Sequence, residues 1–189
     1  MEIRWHGRGG QGAKTASLLL ARIAAAADKY VQAFPEYGPE RMGAPVVAYN
    51  RIGEQRIRQH CQIEEPGIVV VLDPTLIGVV DVTAGLKENG VLLLNTAQDI
   101  KWIKSNLKLA DSVRLFIVNA GKISEEELGR VFPNTPMLGV LNEIGDIMDR
   151  KEFTSELKKQ LARKFKDQED ILNGNLRAAE RACREVVGL

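Results

Sequence analysis

Three short runs of wholly apolar residues most constrain how this 189-residue chain can fold. They span residues 68–72, 91–94 and 115–118, and each is shorter than an ordinary helix. Strands that are buried on both faces of a parallel sheet have this composition, because helices cover the sheet on both sides. The runs therefore predict an α/β domain and exclude a sheet with one solvated face.

Other segments alternate between strand and helix patterns. Residues 3–6 and 30–34 read as further strands, and residues 13–29 as a helix with an apolar side. Ser124, followed by three glutamates, has the pattern of a helix N-cap. Residues 137–148 read as an apolar helix that follows a break at Pro133–Pro136.

A predicted hairpin decides the type of sheet. Residues 46–52 and 56–60 flank a three-residue turn, which is typical of antiparallel strands. We therefore predict a three-layer α/β/α, Rossmann-like domain with a mixed, mainly parallel sheet. The chain becomes charged and helical toward its end, so we divide it into an α/β domain over 1–150 and a helical tail over 151–189, packed on that domain or on a partner.

The composition excludes several classes of protein. With 26 basic and 25 acidic residues the net charge is +1, which does not suit a general nucleic-acid binder. Cys61 and Cys183 lie far apart and form no C-x-x-C, so we expect no zinc or iron–sulfur site within the chain. Free thiols or a single disulfide remain the alternatives. Without a signal peptide or a bilayer-spanning apolar stretch, we expect no membrane association and a cytoplasmic location.

A cluster of glycines marks the transition from the first strand to the first helix. Gly7, Gly9 and Gly12 fit the spacing G-x-G-x-x-G, and Gly10 lies among them. Glycines let the backbone approach a diphosphate, and the helix N-terminus offers free N–H groups. A dinucleotide site also requires an acid at the end of the second strand, and the nearest candidate, Glu36, follows Pro35 in a proline-rich segment.

The glycine cluster nearly matches the motif of a phosphate-binding P-loop. Walker A requires Gly, Lys and Ser or Thr to be contiguous, whereas Ala13 here separates Gly12 from Lys14. The remaining interpretation is a tight turn in which glycines allow close helix–strand packing without a ligand. Both ligand binding and packing stay open on the sequence.

Two motifs together carry a family resemblance. Residues 6–14 read HGRGGQGAK and residues 33–45 read AFPEYGPERMGAP. At this spacing the chain resembles the gamma subunit of pyruvate:ferredoxin oxidoreductase, also called pyruvate synthase, of the 2-oxoacid:acceptor oxidoreductase family. Further matches occur at 51–52, 65–66, 69–76 and 137–139.

The resemblance implies one subunit of a multi-subunit oxidoreductase. The complex would convert pyruvate, coenzyme A and oxidised ferredoxin reversibly to acetyl-CoA, CO₂ and reduced ferredoxin. Thiamine diphosphate, Mg²⁺ and [4Fe-4S] clusters would be held by alpha, beta and delta subunits, and none by this chain. The sequence agrees, since it lacks cluster cysteines and a thiamine-binding pattern, and we expect no catalytic residue here. We interpret His6 and His60 as strand-end residues.

Two groups of residues are candidate contact sites. Gly7, Gly9, Gly10, Gln11 and Gly12 would contact a phosphate, in the complex that of coenzyme A, with close packing as the alternative. Tyr37, Glu40 and Arg41 would dock on partner subunits, with a solvated loop containing a Glu40–Arg41 pair as the alternative. For the whole chain, the alternatives are a free-standing dinucleotide-binding oxidoreductase domain and a non-catalytic interaction module.

Overall fold

A computed structural model describes residues 1–36 and 43–188 as a seven-stranded sheet with helices on both faces. The strands are β1 (Glu2–Arg8), β2 (Tyr30–Glu36), β3 (Pro45–Gly53), β4 (Ile68–Val71), β5 (Val91–Asn95), β6 (Arg114–Val118) and β7 (Val187–Gly188). The helices are α1 (Ala13–Ala26), α2 (Ile100–Asn106), α3 (Ala120–Leu128), α4 (Asn134–Gly145), α5 (Arg150–Lys164) and α6 (Glu169–Glu185), and a short 3₁₀ turn spans Pro74–Leu76.

The order of strands across the sheet is β2-β3-β1-β4-β5-β6-β7. Strands β1, β4, β5 and β6 are parallel neighbours, with Val70 opposite both Trp5 and Leu93. Strand β3 is antiparallel to β1 and to β2, and β7 is antiparallel to β6. The predicted mixed α/β architecture is confirmed.

The predicted hairpin between residues 46–52 and 56–60 is wrong. Strand β3 pairs with β1 and β2 instead, and residues 56–60 form no strand. Both sides of β3 are occupied, by β1 and by β2, so residues 56–60 have no free edge of β3 to pair with. The connecting segment is held by a side chain instead: the buried Arg51 of β3 donates to the carbonyl oxygens of Cys61 at 2.8 Å and Gln62 at 3.2 Å.

Two apolar layers enclose the sheet. On one face, Ile3, Trp5 and Leu93 pack with apolar residues of α1, α3, α4, α5 and α6. On the other face, Val71 and Leu92 pack with a smaller layer formed by α2 and the segment after β4. Alternate residues of β4 and β5 therefore face opposite layers, which accounts for their wholly apolar composition.

Helix α3 begins earlier than its predicted N-cap. Strand β6 ends at Val118, and the Oδ1 atom of Asn119 caps the helix by accepting from Lys122 N at 3.1 Å. Ser124 lies inside α3, where its hydroxyl donates to Gly121 O and accepts from Phe132 N at 2.9 Å. The prediction for Ser124 is wrong because a suitable cap follows the strand at once.

The C-terminal region is helical, as predicted. Phe153, Leu157 and Leu161 of α5 and Leu172 of α6 belong to the same apolar cluster as α1 and α4. The two-residue strand β7, which pairs with β6, was not predicted because so short a segment carries no pattern. The division at residue 150 stays a prediction. None of the helices in the described ranges is long and apolar enough to cross a membrane.

Candidate functional site at the glycine loop

The glycine loop, residues 7–12, connects β1 to α1. Gly7 is part of β1, and Gly10 and Gly12 have φ angles of 99° and 89°, in the left-handed region that favours glycine. Gly12 is the N-cap of α1, and no side chain caps this helix. The loop therefore presents bare backbone at the positive end of the helix dipole.

The hydrogen bonds of the loop show which of its donors are already used. Gly9 N donates to Ala44 O at 2.9 Å, and Gln11 N donates to Arg8 O at 3.0 Å. In the part of the chain that the structure describes, no acceptor takes the N–H groups of Gly10, Gly12 or Ala13. Three backbone donors in four residues suit an anion such as a phosphate.

Gln11 fixes the conformation of this loop. Its Oε1 accepts from Arg8 N at 2.7 Å, and its Nε2 donates to Oδ2 of Asp73, just beyond β4. The other carboxylate oxygen of Asp73 accepts from the N–H of Thr75 at 2.9 Å and from its hydroxyl at 2.7 Å. The loop is thereby attached to the neighbouring parallel strand.

Arg8 and Asp73 form an ion pair at the same edge, with Nε 3.3 Å from Oδ2. Burial acts to raise the pKa of Asp73, but the hydrogen bonds from Thr75 and Gln11 and the charge of Arg8 outweigh it and hold that pKa below its ordinary value. Asp73 is thus a charged anchor for the loop. Sequence reasoning missed this role of Arg8, Asp73 and Thr75, although the Asp-Pro-Thr motif directly after an apolar strand is a signal for it.

Asn95 and Asn119, at the ends of β5 and β6, lie at the same edge but serve the fold. Asn95 Nδ2 donates to Leu72 O at 2.8 Å, and its Oδ1 accepts from Gly121 N at 3.0 Å. Asn119 caps α3. Both amides are occupied by structural hydrogen bonds.

Glu36 is the acid that a dinucleotide site would need, and it does end the second strand in the chain. However, β3 lies between β2 and β1, so Glu36 is two strands away from the glycine loop, on the order of 10 Å. Its carboxylate accepts from the hydroxyl of Tyr49 at 2.7 Å and from Gln62 Nε2 at 2.6 Å. This arrangement disfavours a ribose contact.

The proline-rich segment, residues 35–45, ends beside the glycine loop. Strand β2 runs parallel to β1, so both end at one edge, where β3 starts. Gly43 N donates to Gly9 O at 3.2 Å, and Arg8 Nη1 donates to Gly43 O at 3.0 Å. Tyr37, Glu40 and Arg41 lie outside the described residues, so their interface role stays a prediction.

Comparison with known proteins decides the family. Residues 2–185 match the family model described as pyruvate ferredoxin/flavodoxin oxidoreductase. The chain belongs to this family. The expected family resemblance is therefore confirmed.

Relatives within this family are similar over most of their length. The chain is 44% identical to pyruvate synthase subunit PorC of Thermotoga maritima over 185 residues, which are 98% of this chain and 94% of that protein. It is 51% identical to the pyruvate/ketoisovalerate oxidoreductases common subunit gamma of Pyrococcus abyssi over 141 residues, which are 75% and 76% of the two chains.

Solved structures share the fold of this chain. The crystal structure of Thermotoga maritima PorC superposes with a TM-score of 0.86 at 40% identity, covering 100% of this chain and 97% of that one. A 2-oxoglutarate:ferredoxin oxidoreductase from Magnetococcus marinus has a TM-score of 0.77 at 19% identity. That likeness covers 96% of this chain but 30% of the other and concerns the fold alone.

The described side chains do not meet the requirements of a metal site. Across residues 1–36 and 43–188, no group of three His, Cys, Asp or Glu side chains could hold a metal ion. Cys61 and Cys183 are free, so the single disulfide is wrong. We derive no metal or cluster chemistry from these residues.

His6 is a buried titratable group of β1, directly before the glycine loop in the chain. Its Nε2 accepts from Arg4 Nε at 3.0 Å, and burial followed by the charge of Arg4 lowers its pKa to about 4. His6 lies inside β1, and His60 lies in the β3–β4 connection beside Gln32, so neither ends a strand, contrary to prediction. The imidazole of His6 is therefore neutral and already hydrogen-bonded, so we assign it a structural role in β1.

Proposed function

We propose that this chain is the gamma subunit of a multi-subunit pyruvate:ferredoxin oxidoreductase. The complex converts pyruvate, coenzyme A and oxidised ferredoxin reversibly to acetyl-CoA, CO₂ and reduced ferredoxin. The observation that carries the proposal is the match to a pyruvate synthase subunit over nearly the whole of both chains. The family match and the common architecture support it.

Within the complex, this chain binds and positions rather than carrying the chemical step. The residues around the glycine loop are engaged in hydrogen bonds that fix its shape, and the family's cofactors have no ligand set among the described residues. Thiamine diphosphate, Mg²⁺ and [4Fe-4S] clusters belong to alpha, beta and delta subunits in this proposal. The two free cysteines suit its cytoplasmic location.

The glycine loop is proposed to contact a phosphate of coenzyme A. The N–H groups of Gly10, Gly12 and Ala13 supply the donors. Packing is the competing role, and Gly12 gives it specific support. A Cβ at Gly12 would lie 3.0 Å from Nδ2 of Asn134 in α4, so close helix packing also favours glycine there.

The subunit role is tested by reconstitution. Purified alone, the chain should show no turnover with pyruvate, coenzyme A and a redox dye, and should co-purify with larger cofactor-bearing chains when the subunits are co-expressed. Omitting the chain should abolish or strongly reduce turnover by the rest. Turnover by the isolated chain, or full activity of the others without it, would contradict the proposal.

The coenzyme A contact is tested by Gly9→Val in the assembled enzyme. We expect the KM for coenzyme A to rise about tenfold, equivalent to about 1.4 kcal/mol, while pyruvate-dependent reduction without coenzyme A is unchanged. Gly53→Val is the matched control, because a Cβ at Gly53 meets its nearest atom, Gln55 O, at 3.7 Å, far along β3 from the loop. Failure of the Gly9 variant to assemble would show that packing is the role of the loop.

A further inference from the structure

A cavity lies on the helical side of the molecule, separate from the glycine loop. It has a volume of about 730 Å³ and opens between α1, the connection from α3 to α4, and the end of α5 with the start of α6. No residue of the glycine loop lines it. We call this surface the basic groove, and it is lined in part by Arg22, Arg130, Arg163, Lys164, Phe132 and Gln160.

Four cations surround the basic groove without an acidic counterpart. All four are exposed: Arg22, Arg130, Arg163 and Lys164. No side chain among them forms an ion pair or a hydrogen bond with another described residue. The Nζ atom of Lys164 lies over the ring of Phe165, 5.1 Å from its centroid. No Asp or Glu lines this cavity among the described residues. The charge is therefore compensated from outside the chain.

Two arginines on neighbouring helix surfaces are paired within the chain. Arg150 pairs with Glu143 at 2.7 Å between α5 and α4. On the other side, Arg177 pairs with Glu127 at 2.8 Å between α6 and α3. The four cations at the basic groove do not reflect a generally basic protein, since the net charge is +1.

The groove also exposes apolar surface. Phe132 is 43% exposed and Ile171 is 39% exposed, and Val131, next to Phe132, is 58% exposed. Exposed aromatic and aliphatic side chains rimmed by arginines are typical of protein–protein interfaces. An occupant that matches this surface carries both carboxylates and apolar side chains.

One buried acceptor at the groove lacks a donor. Gln160 of α5 is 7% exposed, and its Oε1 is buried without a hydrogen-bond partner in the described structure. Leaving a buried acceptor unpaired is unfavourable. A main-chain N–H entering the groove would satisfy this oxygen after rotation of the side-chain amide, and a polypeptide provides such donors along its length.

We infer that the basic groove docks an acidic segment of another subunit, one that carries apolar side chains among its carboxylates. The inference rests on the proposed multi-subunit function. Cations on three separate segments and a broad apolar floor suit an extended polypeptide better than a single small anion. Charge pairs at such an interface weaken with salt.

The test is a double charge reversal in the co-expressed complex. Arg163→Glu with Lys164→Glu should weaken subunit binding at least tenfold and remove most of its salt dependence between roughly 0.05 and 0.5 M. The matched control is Lys151→Glu with Lys158→Glu. These two lysines are exposed on the same helix but line a separate cavity. The control should change the affinity for the other subunits by no more than about twofold. The melting temperature of each isolated chain shows whether the variants fold.

The outcomes separate this inference from the proposed function. If the wild-type chain assembles and the Arg163 and Lys164 variant binds as tightly as the control, the docking inference is wrong and the subunit role stands. If assembly is unaffected but ADP binds the isolated chain through Arg163 and Lys164, the groove is a small-anion site and the inference is again wrong. If the wild-type chain assembles with no other subunit, both proposals fail.

Discussion

The side-chain amide of Gln11 joins the glycine loop to Asp73, which lies 62 residues further along the chain. The same amide accepts from Arg8 N at 2.7 Å, so a single side chain closes the loop and fastens it to the end of β4. The conformation of the loop is therefore set by tertiary contacts as well as by its glycines. An anion that binds there meets donors whose directions are already fixed.

Replacing Asp73 by Asn should loosen this arrangement. The amide keeps an acceptor for Thr75 but loses the charge opposite Arg8 and the oxygen that accepts from Gln11. We expect the free energy of unfolding to fall by about 1–3 kcal/mol, measured by urea denaturation. Asp81→Asn is a matched control, because Asp81 accepts from the N–H and hydroxyl of Thr83 in the same local turn but is exposed and has no such partners. Equal losses in the two variants would contradict the anchoring role.

Two glycine substitutions should differ in their effect on stability. Gly12→Ala places a Cβ at a φ of 89° and 3.0 Å from Asn134 Nδ2, so we expect a loss of roughly 1–2 kcal/mol. Gly7→Ala meets its neighbours at 3.5–3.6 Å, which is ordinary contact, and should change stability little. Thermal unfolding of both variants tests this, and a larger loss for Gly7→Ala would show that its surroundings are tighter than the structure indicates.

Stability should decline on the acid side of neutrality because of His6. Its pKa in the folded chain, about 4, lies below the ordinary value of 6.5, so the unfolded chain binds the extra proton first. The contribution is therefore complete above pH 6.5 and is lost as the pH falls toward 4, at up to about 1.4 kcal/mol per pH unit. His6→Gln keeps an acceptor for Arg4 but cannot titrate. Urea unfolding between these pH values should give a shallower slope for the variant, and identical slopes would show that His6 is not the responsible group.

Much of this fold is predictable from the sequence, because the central strands and the main helices carry strong patterns. The wholly apolar runs became β4, β5 and β6, and the tail became α5 and α6. The pairing of the strands was harder to predict from the sequence. The assignment of 56–60 to a hairpin failed because β1 and β2 occupy both sides of β3, a pairing that no local pattern encodes.

The glycine loop was predictable in its position between β1 and α1 but not in its connections. Glycines between a strand and a helix leave anion binding and close packing as alternatives. That Gln11 meets Asp73 depends on the parallel pairing of β1 with β4, which sequence spacing does not specify. Likewise, Glu36 ends β2, as a dinucleotide site requires. However, β3 lies between β2 and β1, and the sequence does not specify this order of strands.

The proposed docking role of Tyr37 and Arg41 can be tested independently of the basic groove. Tyr37→Ala with Arg41→Ala should leave the melting temperature of the isolated chain nearly unchanged and weaken complex formation by ~2 kcal/mol or more, because aromatic and arginine side chains dominate interfaces. Binding measured between the purified chain and its co-expressed partners decides this. A large loss of stability in the isolated chain with normal assembly would assign these residues to the fold instead, and Glu40→Ala reports whether a Glu40–Arg41 pair contributes.

Arg51 should tolerate no replacement by Lys. Its guanidinium is 4% exposed and donates to Glu2 at 2.9 Å and Gln32 at 3.0 Å, as well as to the two carbonyls of the β3–β4 connection. A lysine ammonium is a single centre and cannot reach acceptors arranged around a planar fork, so buried oxygens lose their donors. We expect Arg51→Lys to lower the free energy of unfolding by roughly 2–3 kcal/mol and to speed proteolysis within residues 54–66. Arg114→Lys, an exposed substitution on β6, should change neither. If Arg51→Lys were as mild as Arg114→Lys, the connection would be held by its other contacts, such as the one from Gln62 to Glu36.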